Sequence, residues 1–159
     1  MIDRPRPIIR PHHGVTPVIP ASAFVADNAV VIGDVVLGEQ ASLWFNTVVR
    51  GDVHWIRIGD RTNVQDGTVV HVTKDRFPTR LGDDVVVGHM VMLHGCTVED
   101  RCLIGMASVL LDDCHIGTES IVAAGSLVPP GFKAPPRSLL MGRPARIVQQ
   151  GAGRSLAGG

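Results

Sequence analysis

The chain has no tyrosine, and four phenylalanines and two tryptophans are its only large aromatic residues. A core of stacked rings is therefore excluded, and the interior must be built from Val, Ile, Leu and Ala. Cysteine is scarce too. Cys96, Cys102 and Cys114 form no CxxC pair, and their odd number argues against a disulfide framework, so they read as small buried apolar residues. Neither sign of charge predominates, with 15 Lys plus Arg against 15 Asp plus Glu. Nothing electrostatic favours nucleic acid or an anionic membrane as partner. No apolar run approaches the ~20 residues of a membrane span, and Met1–Pro20 holds no continuous apolar stretch of the signal-peptide kind. These absences predict a cytoplasmic protein. A 3.6-residue apolar period is missing until the last segment, so helices should be few. The length of 159 residues suits one domain.

What the chain does have is abundant glycine and valine, and a short period. Val25, Val31, Leu37, Leu43 and Val49 follow at intervals of six, with a small or β-branched residue four positions after each: Ala29, Val35, Ala41, Thr47 and Val53. The pairing recurs at Ile58/Thr62 and Val64/Thr68, then in a series from Leu81 to Thr97, then in another from Val98 to Ser126, and Val128 closes it. A period of six fits neither an α-helix nor an antiparallel β-sandwich, whose strands alternate with period two. It fits an all-β coil of triangular section, a parallel β-helix. Three six-residue sides make one turn, the aliphatic residue of each side points inward, and the units found amount to between five and six turns. Successive turns stack about 4.8 Å apart, as paired strands do.

The register breaks three times. Val49 to Ile58 spans nine residues, an insertion of three; Val70 to Leu81 spans eleven, an insertion of five within a loop at 72–80; Leu93 to Val98 spans five, a deletion of one. Interruptions of a regular scaffold are where function concentrates. The predicted organisation is an extended segment over residues 1–20, the β-helix over 21–130, a Pro-rich connector and short C-terminal α-helix over 131–150, and a disordered tail over 151–159. Pro144 stands at a first helical position, and the helix at 144–150 would cap the open end of the coil.

Assigning the units to the three sides in turn places Arg50, His71 and His94 in one column, each directly after an inward residue of the same side. One whole turn plus the insertion of five separates His71 from His94. Their backbones should lie about 5 Å apart, so both imidazoles can reach one ion. On a different side, Asp66 and His89 occupy equivalent positions in adjacent turns, with Gln65 directly before Asp66. His89 cannot join the pair within one chain, but in a closed threefold ring its edge meets the histidine pair of a neighbour. The register predicts a homotrimer with three sites, each using His71 and His94 of one chain and His89 of the next. Three imidazoles with an open fourth position suit a catalytic metal. A hydrogen-bonded histidine ladder is the competing reading of the same spacing. His12, His13, His54 and His115 fall outside the pattern and read as structural or surface residues.

Arg50-Gly-Asp52, Asn63-Val-Gln65-Asp66, His71, Gly88-His89 and His94-Gly95-Cys96 together resemble the γ-class carbonic anhydrases. The segment Ser138-Leu-Leu-Met-Gly-Arg-Pro-Ala145 is similar to that family's C-terminal part, and the resemblance covers about residues 10–150. It implies a left-handed coil and His71, His89 and His94 as ligands of zinc; by their donor chemistry three imidazoles also accept ferrous iron or cobalt. It implies that Asn63 and Gln65 orient water and line its pocket. Arg50 resembles an interface arginine that pairs with carboxylates, for which Asp52 and Asp66 are the candidates. The chain departs from the archaeal prototype at two glutamates that assist proton transfer. Their positions hold Val53 and Lys74, neither of which accepts a proton as glutamate does.

The expected activity is reversible hydration of carbon dioxide to bicarbonate by a metal-bound hydroxide at the subunit interface, the metal lowering the pKa of water to about 7. The proton would leave through bulk buffer or His54. Two alternatives stand beside it: an acyl-CoA thioesterase or acyltransferase, as in related hexapeptide proteins, and a non-catalytic trimer stapled by metal.

Overall fold

The aliphatic residues of the six-residue period stack in three inward columns in the computed structural model, which describes residues 5–151. Val31, Val49, Val70, Leu93, Leu110 and Val128 fill one column, and Leu43, Val64, Val87, Ile104, Val122 and Leu140 a second, all without exposed surface. Leu37, Ile58, Leu81, Val98, Ile116 and Ala134 fill the third. Each buried Val, Leu or Ile contributes roughly 1.5–3 kcal/mol of transfer free energy, so the stack needs no large ring to hold it. The corners of the triangle are closed by small side chains. Thr62 Oγ1 donates to the carbonyl of Gly82 at 2.6 Å and Thr68 Oγ1 to that of Gly88 at 2.9 Å, which satisfies hydroxyls buried at those corners.

Two sheets make the three sides. Phe24–Val25, Ser42–Leu43, Asn63–Val64, Val86–Val87, Leu103–Ile104, Ile121–Val122 and Ser138–Gly142 stack as parallel rungs on one side. The other two sides form an eleven-stranded sheet, continuous because the long strands Val30–Leu37 and Val48–Ile58 run through the corner between them. The chain is an all-β parallel solenoid of hexapeptide repeats. Among the described residues there is no helix long and apolar enough to cross a membrane.

The register breaks fall where the period puts them. Leu43, Val64, Val87, Ile104, Val122 and Leu140 pair in sequence. The first two steps of that series are lengthened by the two insertions, the third is shortened by the deletion, and the last two are regular turns. Gly33 pairs with Gly51 but Val35 pairs with Ile56, so the three inserted residues bulge from the strand between Gly51 and Ile56 and carry Asp52 and His54 with them. The five-residue insertion is a tight turn closed by the Thr73–Phe77 bridge.

Two expectations are corrected at the C-terminal end. The coil does not stop near residue 130: Lys133–Ala134 completes the sixth turn, Ser138–Gly142 adds a seventh rung, and Leu140, one regular turn after Val122, is wholly buried in it. The prolines at 135 and 136 turn a corner of the coil rather than forming a separate connector. Nor is there a helix at 144–150. Ala145–Gln150 is a strand, antiparallel to Ser138–Gly142. A seven-residue helix is too short to be stable by itself, and the last rung otherwise presents an unpaired edge. Ile147 and Val148 favour the extended form that satisfies it. The tail expected to be disordered lies, beyond Gly151, outside the described residues.

Candidate metal centre

Alternation along two short strands decides where the first two histidines point. In Val69–His71 and Met92–His94 the middle residue, Val70 or Leu93, is buried, so His71 and His94 face outward. The strands pair in register with His94 opposite His71. Val48 and Val49 pair with Val69 and Val70, which sets Arg50 beside His71 in the expected column. The imidazole centroids lie 5.1 Å apart with the planes at 65°, and His71 Nδ1 stands 3.2 Å from His94 Nε2.

The remaining nitrogen of each ring meets a carboxylate. His71 Nε2 is 2.9 Å from Asp52 Oδ1, and His94 Nδ1 is 2.7 Å from Asp112 Oδ1. Burial favours the neutral form of Asp52. It is outweighed by hydrogen bonds from His71 and Arg50, by the Arg50 charge and by the Val53 backbone N–H, which together hold the carboxyl down at about 2. Burial opposes ionisation of Asp112 as well, and the Thr73 hydroxyl, the hydrogen bond from His94 and the charge of Arg76 hold it below the usual carboxylate range. Both carboxylates are therefore ionised at neutral pH and accept only. Each histidine must donate its N–H to its aspartate. In the neutral rings the two nitrogens that face one another then carry lone pairs, with no proton between them.

A cation suits that gap. Two nitrogens bound to one tetrahedral zinc at 2.0–2.1 Å stand about 3.3 Å apart, close to the observed 3.2 Å. Carboxylates on the outer nitrogens fix tautomer and orientation, as around known histidine-bound metals. A hydrogen-bonded ladder would need a proton in the gap, and so a protonated ring. The donor set fits a metal.

The other predicted residues lie on a different side. Asn63–Val64 pairs with Val86–Val87, which brings Asp66 and His89, two residues beyond each, to equivalent positions. His89 Nδ1 is 3.3 Å from Asp66 Oδ1, and both side chains are nearly half exposed, at 48% and 44%. Asn63 Nδ2 donates to Ser42 Oγ at 2.7 Å. Gln65 follows Val64 on the same side. Of the candidate partners for Arg50 it is Asp52 that forms the ion pair, and Asp66 turns to His89 instead. Among the described residues no single chain gathers three His, Cys, Asp or Glu side chains around one point. The chain presents a two-histidine seat on one side and a lone histidine on another.

Asp112 and Thr73 were not singled out by the sequence. Asp112 does not follow directly on an inward residue, as the histidines do, but stands two positions after Leu110, at a corner. The signal available was Gly95. A Cβ at Gly95 would lie 2.3 Å from Asp112 Oδ1, so the glycine leaves room for an acidic side chain from the next turn. Of the histidines set aside, His115 Nε2 pairs with Glu99 Oε1 at 2.7 Å, and His54 Nδ1 accepts the Trp55 backbone N–H at 3.0 Å. His12, His13 and His54 line a cleft of about 250 Å³ that Asp52 also borders.

Residues 95–130 match the family model described as bacterial transferase hexapeptide (six repeats). A carbonic anhydrase of Geobacillus kaustophilus is 50% identical over 143 residues, covering 90% of this chain and 78% of that protein. The mitochondrial gamma carbonic anhydrase 1 of Arabidopsis thaliana is 43% identical over 139 residues, covering 84% of this chain; the chain spans about half the length, 50%, of that relative. Among solved structures, that of a putative acetyltransferase of Bacillus cereus, the product of the BC4754 gene, superimposes with a TM-score of 0.89 at 47% identity, covering 91% of this chain and 84% of that one.

Proposed function

Because the chain belongs to the γ-class carbonic anhydrase family of hexapeptide-repeat proteins, we propose that it hydrates carbon dioxide reversibly at a metal centre shared between two copies of itself. The observation that carries this is the approach of His71 Nδ1 and His94 Nε2 to 3.2 Å, with the other nitrogen of each ring against a carboxylate. His89 of a neighbouring copy completes the ligand set. Zinc suits three imidazoles, with ferrous iron or cobalt as alternatives. When bound, such an ion brings the acidity of water to near neutrality.

The chain's own residues do the rest. Asp52 and Asp112 hold the two rings in the ligating tautomer. Asn63 and Gln65, on the side that carries His89, line the pocket and orient water and carbon dioxide. Arg50 keeps Asp52 charged. Carbon dioxide and water give bicarbonate and one proton, which must be removed at each turnover. Val53 packs against the core and Lys74 is a cation, so neither relays it. We assign proton exit to His54, in the cleft it shares with His12, His13 and Asp52.

The neighbour is a second copy in a closed homotrimer. His89 sits beside an exposed apolar band: Phe24, Trp44, Phe45, Met90 and Met106 are each 37% exposed or more. A band of this kind marks a surface that another molecule covers. The soluble compartment we propose is the cytoplasm.

Mixing two inactive variants tests the shared site. His89→Ala and His94→Ala each should lose metal and carbon dioxide hydration. Reassembled together, each mixed trimer regains an intact site wherever a His89→Ala chain supplies the pair and a His94→Ala chain supplies the third ligand. A mixture as dead as its parts would sink the proposal. The acetyltransferase name of the Bacillus cereus relative favours a second reading, acyl transfer or thioester hydrolysis on a coenzyme A substrate. In acyltransferases of this fold a single histidine serves as free base, whereas here both outer nitrogens are committed to carboxylates. Acyl-CoA turnover that survives full chelation would favour it.

A further inference from the structure

We infer that the turn inserted after His71 is a clamp on the two histidines, in which Thr73 and Asp112 act as a positioning pair for His94 and Thr79 ties the two histidine strands together. The inference rests on the metal site proposed above and concerns what shapes it.

The insertion grips both histidines, one from each end. At its start, Thr73 Oγ1 donates to Asp112 Oδ2 at 2.7 Å, and the other oxygen of that carboxylate accepts from His94 Nδ1 at 2.7 Å. At its end, Thr79 Oγ1 donates to the His71 carbonyl at 2.6 Å and accepts the Gly95 N–H at 2.9 Å. Thr79 is wholly buried, so this bridge is shielded from water. The turn between them is closed by Thr73 N–H to the Phe77 carbonyl at 2.9 Å. One short segment thus reaches the backbone on both sides of the pair and, through Asp112, the ring of His94.

The chemistry is directional. Without Thr73, Asp112 keeps one bond to His94 but is free to rotate about its own side chain. The ring it holds then swings, and the convergence of Nε2 on His71 Nδ1 is lost. Thr73 is β-branched and stiff at χ1, which suits it to fixing the carboxylate's angle. Gly95, at φ +62°, leaves the space through which Asp112 reaches. Loss of partners that orient a metal-ligating histidine weakens metal binding by about 10–100-fold.

The experiment is metal affinity of the full-length protein, read by competition with a chromophoric chelator for zinc and for cobalt, with the melting temperature of the metal-free protein measured alongside. Thr73→Val removes the donor at constant shape and should weaken affinity about tenfold. Thr73→Ser keeps the donor and should restore it. Asp112→Ala should lose about 10–100-fold, and adding Thr73→Val to it should cost nothing further, because the two act in series. The metal-free melting temperatures of Thr73→Val and Thr73→Ser should coincide, which separates positioning from folding. If Thr73→Val and Asp112→Ala bind both metals as tightly as wild type does, the clamp is overturned and the metal site stands. If Thr73→Ser fails as Thr73→Val does, the hydroxyl is not the agent and the pair is overturned. A wild-type protein that binds neither zinc nor cobalt overturns the metal reading and the clamp with it.

Discussion

His71 Nδ1 stands 3.2 Å from His94 Nε2, and when both rings are neutral and donate to Asp52 and Asp112 on their far sides, both facing nitrogens carry lone pairs. Two opposed lone pairs repel. The arrangement is relieved by a cation, and stability should follow metal. Zinc or cobalt at a hundredfold excess over its dissociation constant should stabilise the fold by about 2.7 kcal/mol, read as a rise in melting temperature that a chelator reverses. A melting temperature indifferent to both metals would show that the pair is no seat for an ion.

His54 borders the cleft it shares with Asp52, and His54→Ala isolates its role in proton exit. Hydration should fall by about tenfold or more in weak buffer and recover when imidazole is added, with metal content unchanged. Equal turnover at every buffer concentration would remove His54 from the route.

Gly95→Ala places a methyl group 2.3 Å from Asp112 Oδ1 and 2.9 Å from Phe77 Cβ, at a positive φ. The left-handed backbone costs alanine about 1–2 kcal/mol, and displacement of Asp112 adds to it. Denaturant unfolding should show a loss of about 1–3 kcal/mol, together with weakened metal binding. A variant as stable as wild type would mean the turn yields without cost.

The seventh rung has its own test. Leu140 is wholly buried, so Leu140→Ala should cost about 2–5 kcal/mol. Val148, 55% exposed on the final strand, should tolerate alanine within about 0.5 kcal/mol. Equal and small losses at both would return residues 131–150 to the status of a connector.

Glu99 supplies a pH dependence away from the histidine pair. The hydrogen bond from His115 lowers its carboxyl pKa; burial opposes this, and the Thr118 N–H and the charges of His115 and Arg80 reinforce it. A carboxyl whose pKa falls on folding stabilises the protein above its unfolded value of about 4.3. That contribution disappears as pH falls through the lower folded value. Glu99→Gln should therefore lose stability at pH 6 relative to wild type, and the gap should close in acid. The pair is about 40% exposed, so the gap should stay below about 1 kcal/mol. A gap that widens in acid would reverse the assignment.

Most of the coil could be read from spacing alone, because every inward position obeys one count and a single slip would turn a buried valine to water. The interval between His71 and His94, a whole turn plus the inserted loop, carried the pairing of the two histidines for the same reason. The count continues through Ala134 and Leu140, but prolines at 135 and 136 read as the end of regular structure, when proline also fits a corner. The last strand escaped because its partner edge exists only after the coil is built. Asp112 and Thr73 escaped because corner side chains reach into neighbouring turns, and a pattern that tracks alternation along a strand says nothing of that reach.

The strands bearing His71 and His94 are neighbours in one hydrogen-bonded ladder, so the spacing of their backbones is a property of peptide geometry, and the inserted turn acts on the angle of the rings. A jaw whose two halves share a rail cannot gape. Heating should therefore leave the two imidazoles side by side until the rail itself gives way, and their parting and the melting of that ladder should be one event, at one temperature.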